Sequence, residues 1–336
     1  MRNDTRVVYT GLLKQVALLN GVSSAAESFT VTPSVQQKLE TAIQESGDFL
    51  KRINILGVDE QQGEAIGIGV NGSIAGRTDT TQNARSPRDV SGLTKDAYNC
   101  KKTDFDTAVP YKLLDAWAKF PDFQARLSGA IVERQALDRI MIGFNGTSAA
   151  VSTDRATNPL LQDVNIGWLQ KYRASAPDRV LAEGAVAGKV TIGAGGDYKT
   201  LDGLVYDAIQ LLDPWHRKRA DLVVLVDRDL LHTKFLANIE DVSDNENELA
   251  AAKIIANARL GGLPIVDAPF FPDGTIMVTT LKNLSIYWQI SARRRHIKDE
   301  PEWDRIADYQ SSNDAYVVED FGLGAVVENI EPYVAP

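Results

Sequence analysis

The sequence predicts an α+β protein in which a smaller α/β module is inserted into a discontinuous α+β domain. Three observations carry that reading. Apolar residues recur at helical spacing through Phe123, Leu127, Ile131, Leu137, Ile140, Met141 and Phe144, the stripe of a long buried helix. Leu222-Val223-Val224-Leu225-Val226 is an unbroken apolar run, as expected of a strand covered on both faces. Ile66, Ile68 and Val70 alternate with glycines, and Phe105, Thr107 and Val109 alternate again beyond a long polar stretch, which predicts two extended strands separated by a long tip.

From the N-terminus, residues 6–20 form a short amphipathic helix, with Val8, Leu12, Val16 and Leu19 three or four apart and Gly21 just past the end. Residues 23–28 are small and polar, suiting a flexible junction. A second helix opens at Thr32-Pro33, with proline in the favoured first turn. It carries Val35, Leu39, Ile43, Leu50 and Ile53, with a weak point at Gly47. The polar stretch 77–96 separates the two alternating strands. Loops beyond roughly 12–15 residues are unusual inside a compact domain, and a bare two-stranded arm is marginal by itself. Such an arm makes physical sense lying on a neighbouring subunit.

The long helix starts at Pro121-Asp122 and stops between Gly143 and Gly146. A shorter helix begins near Trp168, residues 174–196 are loop or short strand, and residues 199–212 are helical. Helices at 228–238 and 246–258 follow the apolar run. Strands are expected at 263–267, 275–281, 284–290, 314–319 and 323–330, the last two returning to the long helix.

Composition narrows the function. Lys plus Arg is 36 against 45 for Asp plus Glu, a formal charge of −9. That balance argues against phosphate-backbone binding as the main task. Cys100 is the single cysteine, so no intrachain disulfide forms and a reducing compartment is expected. No apolar run approaches the ~20 residues of a membrane span, and the start Met1-Arg2-Asn3-Asp4-Thr5-Arg6 lacks secretory character. A soluble, cytosolically made protein without cofactor or metal is expected.

The motifs that suggest chemistry fail their structural context. Gly67-Ile68-Gly69-Val70-Asn71-Gly72 matches the dinucleotide pattern, but no helix start follows it. Gly193-Ala194-Gly195-Gly196-Asp197-Tyr198-Lys199-Thr200 has Tyr198 where a phosphate loop needs glycine. The acidic run 240–248 has Glu246 at the turn position of a calcium loop. Asp227 is placed to cap the helix opening at Arg228. His216, His232 and His296 are scattered, and Cys100 reads as a passive strand residue beside Lys101 and Lys102. Arg293-Arg294-Arg295-His296 is the strongest basic cluster; it either faces DNA or an acidic neighbour, or is a solvated turn.

Taken together, the segments Thr32-Pro33-Ser34-Val35, Gly47-Asp48-Phe49-Leu50, Gly63-Glu64-Ala65-Ile66, the long helix with Asn158-Pro159-Leu160-Leu161 and Ile166-Gly167-Trp168-Leu169, Asp221-Leu222-Val223-Val224, Asn283-Leu284-Ser285-Ile286-Tyr287 and Tyr316-Val317-Val318-Glu319-Asp320 resemble, in order and over nearly the whole chain, the major capsid proteins of temperate contractile-tailed (Peduovirus-like) bacteriophages. The resemblance implies the Johnson fold, also called the Hong Kong phage capsid fold, and no enzymatic activity. It divides the chain into an N-terminal segment at 1–28, an N-terminal arm at 29–56 and an extended β-hairpin loop at 57–110. A peripheral domain follows at 111–198, an axial domain at 199–299, and return strands with the C-terminus at 300–336. It further implies assembly with itself into hexamers and pentamers of an icosahedral shell. An internal scaffold, a maturation protease, a portal protein and enclosed double-stranded DNA would be the other partners. Cleavage is expected near Ser28 and Phe29. Arg77, Arg85, Arg88 and Lys95 are candidate intersubunit residues of the loop, without covalent cross-linking, and Arg293, Arg294 and Arg295 form a candidate contact cluster. The rival reading of the same fold is an encapsulin-like nanocompartment shell.

Overall fold

The N-terminal helix α1 (Asn3–Asn20) ends where Gly21 turns left-handed, and the amides of the cap close on Ala17 and Leu18 carbonyls. The computed structural model describes residues 1–70, 75, 77–82, 84, 85, 91–117, 123–231 and 259–333. One face of α1 packs Val16 and Ala17, with Tyr9, Leu12 and Leu13, onto Phe29, Val31, Ile297 and Ile306. The junction 23–28 is not free as expected. Ala25 is buried, its carbonyl accepts the Ile297 amide, and the Ala26 carbonyl lies 3.0 Å from His296 Nε2.

After β1 (Phe29–Thr30), α2 (Pro33–Ser46) starts on its proline. It stops at Gly47, so Leu50 and Ile53, expected on its stripe, instead lie in the turn leading to β2 (Asn54–Val58). Both remain fully buried. The arm is a hairpin of β3 (Gln62–Val70) and β4 (Ser91–Asn99), in register from Gln62 opposite Asn99 to Val70 opposite Ser91. This corrects the return strand. Phe105 falls between β5 (Lys101–Asp104) and β6 (Thr107–Pro110), and both of these pair elsewhere.

Helix α3 (Tyr111–Trp117) precedes the long helix α4 (Phe123–Asn145), whose expected start at Pro121-Asp122 lies outside the described residues. Helix α5 (Trp168–Ser175) then docks on the end of α4. Strands β7 (Val180–Leu181) and β8 (Val190–Ile192) lead to α6 (Leu201–Ala208), capped by Thr200 Oγ1 on the Gly203 amide. The apolar run becomes β9 (Val223–Val226), buried at every position. Most of the two helices expected between 228 and 258 lies outside the described residues. Then come β10 (Arg259–Leu260), β11 (Leu263–Val266), β12 (Ile276–Thr279), β13 (Leu284–Gln289), β14 (Arg294–Glu300), β15 (Arg305–Val318), β16 (Ala325–Val327) and β17 (Ile330–Pro332).

Two larger sheets organise the molecule. In the seven-stranded sheet, β15 is the common strand, pairing antiparallel with β14 and β6 along its first half, β5 near its middle and β13 at its end. Strand β2 adds parallel to β13, and β1 to the free edge of β14. The six-stranded sheet runs β10-β11-β9-β12-β16-β7. Sheet membership cuts across the boundaries at 199–299 and 300–336: β13 and β14 belong with β15, whereas β16 joins β9 and β12. One apolar core connects the layers, from Ile43, Leu50 and Ile53 through Ile140, Phe144 and Trp168 to Leu225, Met277, Ile286, Tyr316 and Val326.

Candidate functional site

Three structural features stand out: the hairpin with a sheet of its own, the docked N-terminal segment and a buried ionic cluster that ties the segment after it to the long helix. The ionic cluster begins in α2, where Gln36, Glu40 and Ile43 share one buried face. Opposite, α4 presents Gln135 and Arg139, and β15 contributes Gln310, Ser312 and Asp314. Arg139 is fully buried; its Nη1 and Nη2 reach both oxygens of Glu40, and Nη2 lies 3.2 Å from Asp314. Arg293 is 1% exposed and donates to Glu40 at 3.0 Å, Gln135 at 2.8 Å and Gln310 at 3.1 Å. Burial alone would raise the Glu40 carboxyl, but the two guanidiniums outweigh it and hold it below the ordinary range. Asp314 is pushed up by burial and by its neighbour Glu40, against the pull of Arg139. Two arginines and two carboxylates thus meet without net charge in the interior.

This cluster corrects the basic-patch expectation. Arg293 points inward and is consumed by Glu40, Gln135 and Gln310. Arg295 forms a two-pronged pair with Asp308, at 3.0 and 2.8 Å. Arg294 alone is exposed, on the edge that β1 covers at Thr30. Arg293 lies just ahead of β14, while Arg294 and Arg295 are strand residues whose alternation sends them to different sides.

Of the loop candidates, Arg77 and Arg85 are exposed. Lys95 lies in β4 opposite Ile66, and Arg88 lies outside the described residues. At the cleavage candidate, Ser28 is exposed while Phe29 is buried and paired to Arg295 across the sheet. Two carboxylates fasten α1 to the body: Asp115 accepts from the Arg2 amide at 2.8 Å and Thr5 Oγ1 at 2.6 Å, and Arg6 stands 3.6 Å from Asp299.

No catalytic constellation forms among the described residues. Cys100 is buried, and desolvation followed by the charge of Asp314 pushes its thiol up to about 12, the reverse of an activated nucleophile. Asp227 caps the helical turn at Arg228, accepting from the Asp229 amide at 3.2 Å, and also holds the Gly274 amide at 3.1 Å. His296 meets a carbonyl; His232 and the acidic run 240–248 lie outside the described residues. A cavity of about 740 Å³ between α4 and the 267–273 loop is rimmed by Asp48, Glu133, Asp227, Asp267 and Asp273, with no histidine or cysteine among the described residues of its lining.

The family profile described as phage major capsid protein, P2 family, matches residues 8–330. This chain belongs to the P2 family of phage major capsid proteins. It is 47% identical over 341 residues to the capsid protein of Escherichia phage P2, covering 98% of this chain and 96% of that one. Identity to the major capsid protein of Serratia phage KSP20 is 45% over 339 residues, covering 98% and 97%. The structure matches a chain of the satellite phage P4 procapsid, solved with the size determination (Sid) protein, with a TM-score of 0.83, 44% identity and 99% coverage of both chains. A gene transfer agent capsid chain at 17% identity and TM-score 0.52 shares the fold. The capsid protein is therefore a structural component of the virion shell with the Johnson fold, and not an enzyme.

The buried ionic residues that sequence reading missed are Glu40, Arg139 and Asp314. The signal was present for the first two: Glu40 sits between Gln36 and Ile43 on one helical face, and Arg139 lies within the stripe Ala136, Ile140, Gly143. A charge inside an apolar stripe requires a buried partner. Asp314 carried no such mark, because the partner strand is polar over much of its length.

Proposed function

We propose that this capsid protein assembles with an internal scaffold into an icosahedral procapsid, is trimmed near Ser28-Phe29 by a maturation protease, and expands as double-stranded DNA fills the shell. The observation that carries this reading is the near full-length likeness to a procapsid chain at 44% identity. The hairpin β3–β4 supports it, since two strands forming a sheet of their own need cover from another chain. The exposed stretch 26–28 next to a buried, sheet-paired Phe29 suits a cut that releases α1 while sparing the fold.

The released segment has a second apolar face. Val7, Leu18 and Leu19 of α1 are 72%, 82% and 61% exposed, a surface suited to a partner present only before cleavage. The acidic balance of the chain suits a wall that encloses DNA without sequence-specific contact, with a portal closing one vertex. Co-expression with scaffold and protease, followed by intact mass measurement of the particles, tests the maturation step. A mass corresponding to loss of residues 1–28 is expected; particles that retain Met1 would remove this cleavage from the account.

A further inference from the structure

Asp213, His216 and Asp320 meet where the chain crosses between the two sheets. Asp213 and His216 lie in the turn after α6 and its tight extension through Leu211. Asp320 lies in the corner between β15 of the seven-stranded sheet and β16 of the six-stranded one. One ligand atom from each residue lies within 4.8 Å of the other two, and His216 Nε2 is 3.0 Å from Asp320 Oδ2. The segments are far apart in sequence, so no spacing motif announces them.

Each carboxylate is held by one oxygen and offers the other. Asp213 Oδ1 accepts from Arg179 Nη2 at 2.7 Å, and Asp320 Oδ1 accepts from the Gly322 amide at 2.7 Å. Asn283 grips the Asp320 backbone on both sides, accepting its amide at 2.8 Å and donating to its carbonyl at 2.9 Å. The His216 amide donates to the Asp213 carbonyl at 2.8 Å, which fixes these two residues to each other. Gly322 completes the arrangement, since a Cβ there would sit 2.1 Å from Asp213 Oδ2. Carboxylates oriented through one oxygen by outer partners are what metal ligands require. The His216, Asp213 and Asp320 side chains are 12%, 26% and 38% exposed, so an ion has a path in.

We propose that Asp213, His216 and Asp320 bind one divalent transition cation of the zinc class. One imidazole nitrogen and two carboxylate oxygens suit zinc, cobalt or nickel, whereas calcium and magnesium favour all-oxygen shells. Three protein ligands leave room for water in the coordination sphere. With a neutral imidazole, the two carboxylates and Arg179 sum to −1, which attracts a dication. Bound there, the ion ties the turn ahead of β9 to the corner joining the sheets, and stabilises the folded chain by mass action.

The test is a titration of Zn²⁺ and Co²⁺ into the full-length chain after chelator treatment. One equivalent of Zn²⁺ bound per chain, a visible Co²⁺ ligand-field spectrum and a raised Tm are expected. His216→Gln and Asp320→Asn should each weaken Zn²⁺ binding by about tenfold or more while leaving the circular dichroism of the metal-free chain unchanged. Zinc-edge X-ray absorption on the unaltered chain, independent of any variant, should show one imidazole and carboxylate oxygens. Absence of stoichiometric binding, binding undiminished in His216→Gln, or a spectrum without imidazole would each overturn the site and leave a plain His216–Asp320 pair.

Discussion

At the scale of single residues, the interior charges decide more than any surface contact. Arg139 compensates both Glu40 and Asp314, so Arg139→Met leaves two buried carboxylates facing Arg293 alone. Breaking a buried ion pair from one side costs about 3–5 kcal/mol, and denaturant unfolding of the unassembled chain is expected to show a loss of that size. Asp197 provides a separate pH dependence. Its carboxylate accepts from Thr191 Oγ1, the Ala185 amide and the Thr191 amide at 2.6–2.8 Å, and these bonds hold its pKa down at about 2 from 3.8. A depressed folded pKa means the stabilisation is complete above the unfolded value and is lost as pH falls. The Tm advantage of the parent over Asp197→Asn should therefore be constant near neutrality and shrink between about pH 4 and pH 2. An advantage that grows on acidification would contradict the assignment. The arginine triplet was misread for a related reason. In sequence, Arg293 is indistinguishable from its neighbours, and its partners Glu40, Gln135 and Gln310 come from three distant elements.

At the scale of elements, the meeting of α4 and α5 depends on three glycines. A Cβ on Gly143 would lie 2.3 Å from the Trp168 ring, one on Gly146 2.2 Å from the Asn165 carbonyl oxygen, and one on Gly167 2.4 Å from the Gly143 carbonyl oxygen. Trp168 is fully buried and donates Nε1–H to the Ser285 carbonyl at 3.0 Å. It therefore has nowhere to retreat. Gly143→Ala should cost about 1–3 kcal/mol through overpacking, read as a lower denaturant midpoint with unchanged slope. The long helices and β9 were legible because each buries a stripe or a run in the chain's own core. The return strand of the hairpin was not. Ser91-Gly92-Leu93-Thr94-Lys95-Asp96-Ala97 has no clean alternation, since the hairpin forms its own two-stranded sheet. The first half of β15 escaped notice for the opposite reason. Its buried Gln310, and Ser312 just beyond, are satisfied by hydrogen bonds, so polarity there marks a network and not a surface.

At the scale of the whole molecule, the described residues form a two-sheet body with the hairpin and the docked N-terminal segment attached to it. The body has two large apolar clusters, one between the sheets around Trp168 and one between the six-stranded sheet and α6, and on the proposed reading the appendages serve contacts with other copies or partners. Replacing residues 71–90 with a two-residue Asn-Gly turn should leave the Tm of the unassembled chain within a few degrees of the parent and abolish closed shells. Normal shells from that variant would deny the hairpin its assembly role. Expansion would then be a shift between two packed arrangements of the same subunits, resisted by many interfaces together. The central claim is that the fold exists to tile a shell under the direction of a scaffold. Electron microscopy of the chain expressed with and without scaffold and protease tests it most directly. Closed, uniform icosahedral particles that depend on the scaffold are predicted; a discrete monomer or small oligomer under both conditions would contradict the account.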